Sequence, residues 1–292
     1  MNENVSNENK KRSRGYIYWN TGKKMLVRLA VSLYTLRQVT DDSVTIICDE
    51  DSWTECSKIA TQFNAYAKPV TFEKTSKNFA YFGKCQLHKI TPYDTSIFLD
   101  GDTIIYKSIP ELYYLAEKYE YVATQFVDWT TNNNRIRKRI GQWKPYFPDM
   151  MQGALAPQPA INGGVFAFTK DSKLMKDWYS YAKKGINTFI PDETSCQMIL
   201  HKYPHYIVSP DYNVSCKYGK ITDDTKVIHF HGRKHSRIDD KGNYIYNSKL
   251  WYDVLTKISD LSIVRDNIKF DKQLPKYLEF KENKWIKQLL QQ

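Results

Sequence analysis

The apolar residues of this chain alternate between two spacings, close to two and close to 3.6, through most of its first half. Tyr16-Ile17-Tyr18-Trp19 reads as a short strand, after which Leu26, Leu29, Ala30, Leu33 and Leu36 recur at helical spacing. Val44-Thr45-Ile46-Ile47-Cys48 predicts a second strand. Cys56, Ile59, Ala60 and Phe63 mark a second helix, and Val70-Thr71-Phe72 a third strand. A helix over 84–90 leads into the strand Thr95-Ser96-Ile97-Phe98-Leu99. Pro110 opens a helix through Leu112, Leu115 and Ala116, where a missing N–H costs least, and Tyr121-Val122-Ala123-Thr124 is again strand-like.

The second half is less regular. Residues 128–159, rich in Asn, Arg, Pro and Gln, read as a long loop with at most a helical turn, and loops of that length tend to bind ligands. Strand returns at 161–168, followed by a helix through Leu174, Trp178 and Tyr181. Asp192 reads as the N-cap of a helix running towards His201. A strand at 226–230 and a helix through Leu250, Val254 and Ile258 complete the pattern. This order predicts an α/β fold, a Rossmann-like open sheet that is mixed but mostly parallel, flanked by helices. Ligands of such sheets lie outside the carboxyl ends of the strands.

At one of those ends stand two carboxylates separated by a glycine, Asp100-Gly101-Asp102, directly behind Leu99. Two hard oxygen donors there can share a divalent cation, and Gly101 allows close approach to the backbone. Taken alone, Asp-x-Asp also suits a solvated turn; its position between two β-rich runs favours the metal. His229-Phe230-His231-Gly232-Arg233-Lys234-His235 ends the last strand. An imidazole added to two carboxylates suits Mn²⁺, and a glycine beside basic residues suits a phosphate. Asn162-Gly163-Gly164 interrupts a strand, which marks a bulge or a ligand touching backbone. Asp192-Glu193 is a helix cap or a carboxylate facing substrate.

Composition bounds these readings. The chain has 292 residues, 41% hydrophobic and 14% aromatic, enough for an ordered core. No apolar run is long enough for a bilayer helix, the first 14 residues are polar, and five scattered cysteines lack Cys-x-x-Cys spacing. A cytoplasmic protein without a secretory signal or transmembrane segment is the expectation. The net charge of +11 suits an anionic partner. Lys10-Lys11-Arg12-Ser13-Arg14 reads as a solvated tail, while Arg135-Ile136-Arg137-Lys138-Arg139 falls in the long loop. Gly-x-x-x-x-Gly-Lys, Gly-x-Gly-x-x-Gly and His-Glu-x-x-His are absent, which argues against P-loop ATPases, dehydrogenases and zinc proteases.

As an ordered set, strand-Asp-x-Asp, Asn-x-Gly-Val-Phe, an Asp before a helix and His-Phe-x-Gly resemble the glycogenin-like glycosyltransferases, family 8, with the GT-A fold. The resemblance runs from about Gly15 to His235. It implies a single catalytic domain over 15–240, between a flexible basic tail at 1–14 and a C-terminal helical extension at 241–292. It implies Asp100, Asp102 and His229 as ligands of Mn²⁺, with Mg²⁺ the other candidate, and a UDP-sugar as donor. Tyr18, Trp19 and Asn20 would contact the base and ribose, and Lys84, Gly101, Asn162, Gly163, Gly164 and Asp192 would line the diphosphate and sugar. Gly232 and Lys234 would hold phosphate, although the family's lysine commonly follows that glycine by three residues, where this chain has His235. Asp192 is the candidate catalytic carboxylate in a retaining hexosyl transfer of glucose or galactose. The acceptor would be a glycan, a lipid-linked sugar or a protein, and a homo-oligomer is allowed. The alternatives are a nucleotidyltransferase using the same acidic site, and a basic nucleic-acid-binding or nucleic-acid-modifying protein.

Overall fold

The structure, a computed structural model, describes residues 12–71, 79–232, 237, 239, 241, 243–271 and 274, with 79 and 80 in backbone only. Most of the 1–14 tail, Phe72, Lys234 and nearly all of the chain after Asp271 lie outside the described residues. Ten strands and eleven α-helices are found among the described residues. The main sheet contains β1 (Arg14–Asn20), β2 (Val44–Cys48), β3 (Tyr66–Pro69), β4 (Thr95–Leu99), β6 (Tyr121–Thr130), β7 (Pro159–Thr169) and β8 (Tyr206–Val208), in the order β3-β2-β1-β4-β7-β6-β8. All neighbours are parallel except β7, which runs antiparallel to both β4 and β6. The mixed, mostly parallel sheet expected from the sequence is therefore present.

Helices cover both faces, which is why the strands are nearly continuous in apolar residues. Tyr16, Tyr18, Ile97, Leu99, Val165 and Ala167 face one core with α1 (Leu26–Arg37), α2 (Trp53–Gln62) and α5 (Glu111–Tyr119). Ile17, Phe98, Phe166 and Phe168 face the other. That second core is completed by α3 (Phe79–Lys84), α4 (Leu87–Ile90), α8 (Lys173–Lys184) and α9 (Pro191–Ile199). The period of two is preserved in which core each side chain enters, although both faces are dry.

A second sheet of three short strands, β5 (Thr103–Ile105), β10 (Val227–His229) and β9 (Val214–Ser215), lies beyond the end of β4 in the order β5-β10-β9. The antiparallel register places His229 opposite Thr103. Beyond it, α10 (Ser248–Lys257) and α11 (Ser262–Arg265) bury Trp251, Leu255 and Val264 in the core that α1 shares.

Several predicted elements shift. β3 covers 66–69 rather than 70–72: it is a thinly covered edge strand, so no apolar alternation marks it. The helix expected at 84–90 is two short helices that meet near Lys84. The long loop at 128–159 is largely structured, with β6 reaching Thr130 and α6 (Asn134–Gly141) and α7 (Met151–Ala154) packing Ile136, Ile140 and Trp143 into a small third core. Asp192 is the second residue of α9 rather than its cap; Ile190 holds the cap position in left-handed geometry.

Arg28 on α1 and Asp271 form a buried ion pair at 2.8 Å. Removing one partner leaves a buried charge uncompensated, whereas an apolar pair avoids desolvation. We expect Asp271→Asn to lower stability by about 3–5 kcal/mol in urea unfolding, and Arg28→Met with Asp271→Leu to recover most of that loss.

Candidate metal centre

The turn after β4 carries Asp100 and Asp102, and the small sheet brings His229 over them. Phe230 N donates to Asp102 O at 2.9 Å, and the Thr103 hydroxyl donates to Asp100 O at 2.8 Å, holding the Asp-x-Asp turn between the two sheets. One ligand atom from each of Asp100, Asp102 and His229 lies within 4.8 Å of the others. His229 Nε2 is 3.1 Å from Asp102 Oδ1 and 3.6 Å from Asp100 Oδ2. Two ligands each about 2.1 Å from one ion stand about 3 Å apart when adjacent, so this spacing suits a single hard cation.

The hydrogen bonds around Asn162 determine which His229 nitrogen carries a proton. Gly164 N, which can only donate, bonds Asn162 Oδ1 at 3.0 Å, and Asn162 Nδ2 donates to Glu193 Oε2 at 2.9 Å. The amide orientation is thereby set, and His229 Nδ1, 3.0 Å from the same Oδ1, must be the donor. Asn213 Nδ2 adds a further donor at 2.8 Å. Nε2 then faces the two carboxylates, donating to Asp102 when the ring is protonated and free to ligate a cation that takes that proton's place. A ligating histidine commonly has its other nitrogen held in this way.

This geometry depends on a bulge in β7. Ala123 pairs with Phe166 but Thr124 with Asn162, so 163–165 bow out of the ladder. A Cβ on Gly164 would lie 2.3 Å from the His229 ring. The close approach inferred from these glycines is thus made, at Gly164, by the protein's own imidazole. Gly163 N is held by Glu193 Oε2 at 3.2 Å, and Glu193 Oε1 is paired with Arg139 of α6 at 3.0 Å.

Lys84 Nζ reaches Asp100 Oδ1 at 2.9 Å and Oδ2 at 3.0 Å, Gly163 O at 3.2 Å and Asp192 Oδ2 at 3.7 Å. Asp192 is 2% exposed, and its Oδ1 has no hydrogen-bond partner among the described residues. Burial pushes the Asp100, Asp192 and Glu193 carboxyls above their ordinary range, with Lys84 opposing this at the two aspartates and Arg139 at Glu193. Burial acts to lower the pKa of His229, yet Asp102 and then Asp100 more than reverse it, so the net shift is upward. Among the described residues, Asp100, Asp102, Asp192 and Glu193 are set against Lys84 and Arg139, and against His229 when it is protonated; with the imidazole neutral and all four ionised, the carboxylates exceed those two cations by two charges. A divalent cation fits that excess.

The remaining predicted residues divide into two groups. Lys84, Asn162, Gly163, Gly164 and Asp192 converge on this cluster. Trp19 is half-buried against α3, where a Cβ on Gly83 would lie 2.1 Å from its indole. Tyr18 does not line the crevice: its ring points into the core and its hydroxyl pairs with Ser32 Oγ at 3.0 Å, because strand alternation sends it to the face opposite Ile17. Asn20 is buried, with Nδ2 donating to Gly22 O and Ser52 Oγ. The position of a Cβ on Gly101 faces Leu29 at an ordinary 3.7 Å, so nothing there requires glycine. Gly232 adopts φ +64°, a left-handed turn that glycine favours. Glu193, expected with Asp192 as a helix cap or a carboxylate facing substrate, instead braces the bulge; Asn213 carried no expectation, and Arg139 only that of a basic run in a loop.

No protein-family model and no curated protein matches the chain. Among solved structures it is similar to mouse xyloside xylosyltransferase 1, with TM-score 0.54 and 14% identity over 75% of this chain and 98% of that one. It is similar to the bifunctional glycosyltransferase WbbM, with TM-score 0.60 and 10% identity over 89% of this chain but 52% of that one. The galactosyltransferase LgtC, solved with donor and acceptor sugar analogues, aligns with TM-score 0.57 and 11% identity over 83% of this chain and 95% of that one. At such identities the likeness is one of fold, and the fold is GT-A.

Gly164→Ala tests the bulge. We expect this variant to fold but to bind Mn²⁺ about 10–100-fold more weakly in a metal titration, the range typical when a ligand's support is displaced.

Proposed function

We propose that the chain is a metal-dependent glycosyltransferase, of the glycogenin-like family 8, that moves glucose or galactose from UDP to a glycan, lipid-linked or protein acceptor. The observation that carries this reading is the convergence of Asp100, Asp102 and His229 Nε2 on one small space at the strand ends of a GT-A sheet. Asp100, Asp102 and His229 would hold the ion, Mn²⁺ before Mg²⁺ given the mixed oxygen and nitrogen donors. When bound, the ion supplies Lewis-acid stabilisation of charge on the departing nucleoside diphosphate.

The chain's own residues would do the rest. Trp19, half-buried at the end of β1, would offer its indole to the base, and the buried Asn20 would act by holding the turn at Gly22 beside it. Lys84 pairs with Asp100 and is the nearest cation to Asp192, so it can balance these carboxylates and meet the sugar or diphosphate. Gly163, whose N–H and carbonyl are engaged by Glu193 and Lys84, would give the sugar room for want of a side chain, and Gly232, with Lys234, would meet phosphate. Asp192 stands as the carboxylate nearest the reacting carbon in a transfer with retention. A bond forms between the acceptor oxygen and the anomeric carbon, the bond from that carbon to the diphosphate oxygen breaks, and the hydroxyl proton leaves to the diphosphate.

No helix among the described residues is long and apolar enough to cross a membrane. The five cysteines are unpaired and buried, which supports a reducing, cytoplasmic setting.

The test is release of UDP from a panel of UDP-sugars with and without Mn²⁺. We expect slow, metal-dependent release by the wild type and a loss of more than about a hundredfold in Asp102→Asn, beyond what a supporting residue costs, with thermal unfolding of the metal-free variant no lower than that of the wild type. Pyrophosphate release from nucleoside triphosphates would instead indicate a nucleotidyltransferase, and full activity in Asp102→Asn would remove the metal assignment.

A further inference from the structure

Beyond His229, away from Lys84, lies a group of rings that the donor site does not use. The His231 ring is 5.4 Å from that of His229, and Tyr218 stacks on His231 at 6.3 Å with 20° between planes. Trp129 is 5.4 Å from Tyr218, and Phe126 packs beneath both at 5.1 and 6.0 Å. Ser215 ties the group to the small sheet, through His231 Nε2 at 2.6 Å and the Tyr218 amide at 3.2 Å. Phe126 is buried, Trp129 is partly exposed, and Tyr218 is open to solvent. The result is an aromatic shelf two ring contacts from the metal centre.

Two cations stand on this shelf. Arg135 lies 5.8 Å from the Trp129 ring and from the Tyr218 ring, and its Nη1 donates to the Tyr218 hydroxyl at 3.1 Å. Lys217 Nζ lies 4.9 Å from the Tyr218 ring centre. Among the described residues neither cation has a carboxylate partner, in contrast to Arg139, one helical turn further along α6, which is paired with Glu193. Burial would raise the Tyr218 hydroxyl, but Lys217 and Arg135 outweigh it and hold it below its ordinary value. Two like charges kept on one ring beside a flat apolar surface define a place for an anion attached to a ring with an apolar face.

We propose that this shelf is the acceptor subsite, and that it selects a sugar bearing an anionic group, a phosphate ester or a carboxylate. The sugar ring would stack on Trp129, and its charge would be held by Arg135 and Lys217. This inference rests on the transferase reading above. Through His231 the shelf adjoins His229, so a sugar stacked there would lie beside the metal centre.

The experiment compares kcat/KM for paired acceptors: methyl glucoside against its 6-phosphate, glucose against glucuronic acid, and a free sugar 1-phosphate against the same sugar on a short prenyl diphosphate. We expect the wild type to prefer the charged member of each of the first two pairs by at least about tenfold per cation engaged. Arg135→Ala with Lys217→Ala should abolish that preference, and Arg135→Glu should reverse it. The prenyl arm separates a lipid-linked diphosphate from a soluble sugar phosphate. Equal use of charged and neutral acceptors by the wild type overturns the proposal, as does a double variant that keeps the preference. Inhibition by a single-stranded oligonucleotide but not by the sugar phosphates would also overturn it, in favour of a nucleic-acid partner. Metal-dependent UDP release without acceptor preference removes the shelf alone, whereas absence of any UDP release removes the transferase reading and the shelf with it.

Discussion

Three potential metal ligands converge on one small space: Nε2 of His229 and a carboxylate oxygen from each of Asp100 and Asp102. Two unit charges 4 Å apart repel by about 4 kcal/mol at an effective dielectric of about 20, a sizeable share of a typical domain's 5–15 kcal/mol. The protein tolerates this arrangement because Lys84 offsets Asp100, and because backbone on both sides denies the side chains another place to go. Gly164 gives its N–H to Asn162 and its carbonyl to Asp100 N at 2.8 Å, so one residue of the bulge orients the histidine's partner and one ligand's backbone together. A cation entering this space would meet ligands already desolvated and oriented, so little further ordering would oppose its binding.

The supports for this cluster come from segments far apart in the chain. β10 supplies the histidine, the bulge in β7 supplies its partner, and α9 supplies Glu193, which grips the bulge through Asn162 and Gly163. The cap of α9 has a strained backbone: Ile190, a β-branched residue directly before proline, sits at φ 50°. Val127, at φ 44° in β6 between Phe126 and Trp129, is a second β-branched residue in that region. Both outliers adjoin the site, one at the carboxylates and one at the aromatic shelf. Strain in such positions persists where surrounding packing over-determines it.

The sequence made the framework and the ligands readable but left their supports hidden, for definite reasons. β4 ends in Asp-x-Asp because a buried apolar strand meets a polar turn, a boundary that composition shows directly. His229 was visible for the same reason at the end of β10. Tyr18 was placed in the crevice by the family resemblance alone; β1 is dry on both faces, so no polar position shows which way an aromatic side chain turns. Glu193 and Asn213 contribute single polar atoms whose meaning depends on a bulge and a register no local pattern encodes. α6 did carry a signal, since Asn133 caps it and Ile136 and Ile140 stand four apart on its buried face. The run of arginine and lysine around those two isoleucines masked it, and the stretch read as loop.

α6 joins the two halves of the site. Its buried isoleucines anchor one face, and Arg135 and Arg139, also four apart, project from another. Arg139 is neutralised by a buried carboxylate that braces the metal centre, so the helix cannot rotate without breaking an ion pair and the grip on Asn162 behind it. Arg135, one turn away, is thereby held at a set distance from the donor carboxylates on a rigid element. A loop with the same charge would let that cation wander and would spend ordering free energy on each binding event. The basic cluster therefore acts through the backbone that carries it: one arginine is committed to the fold of the site, and that commitment would position the next one for the charged acceptor proposed above.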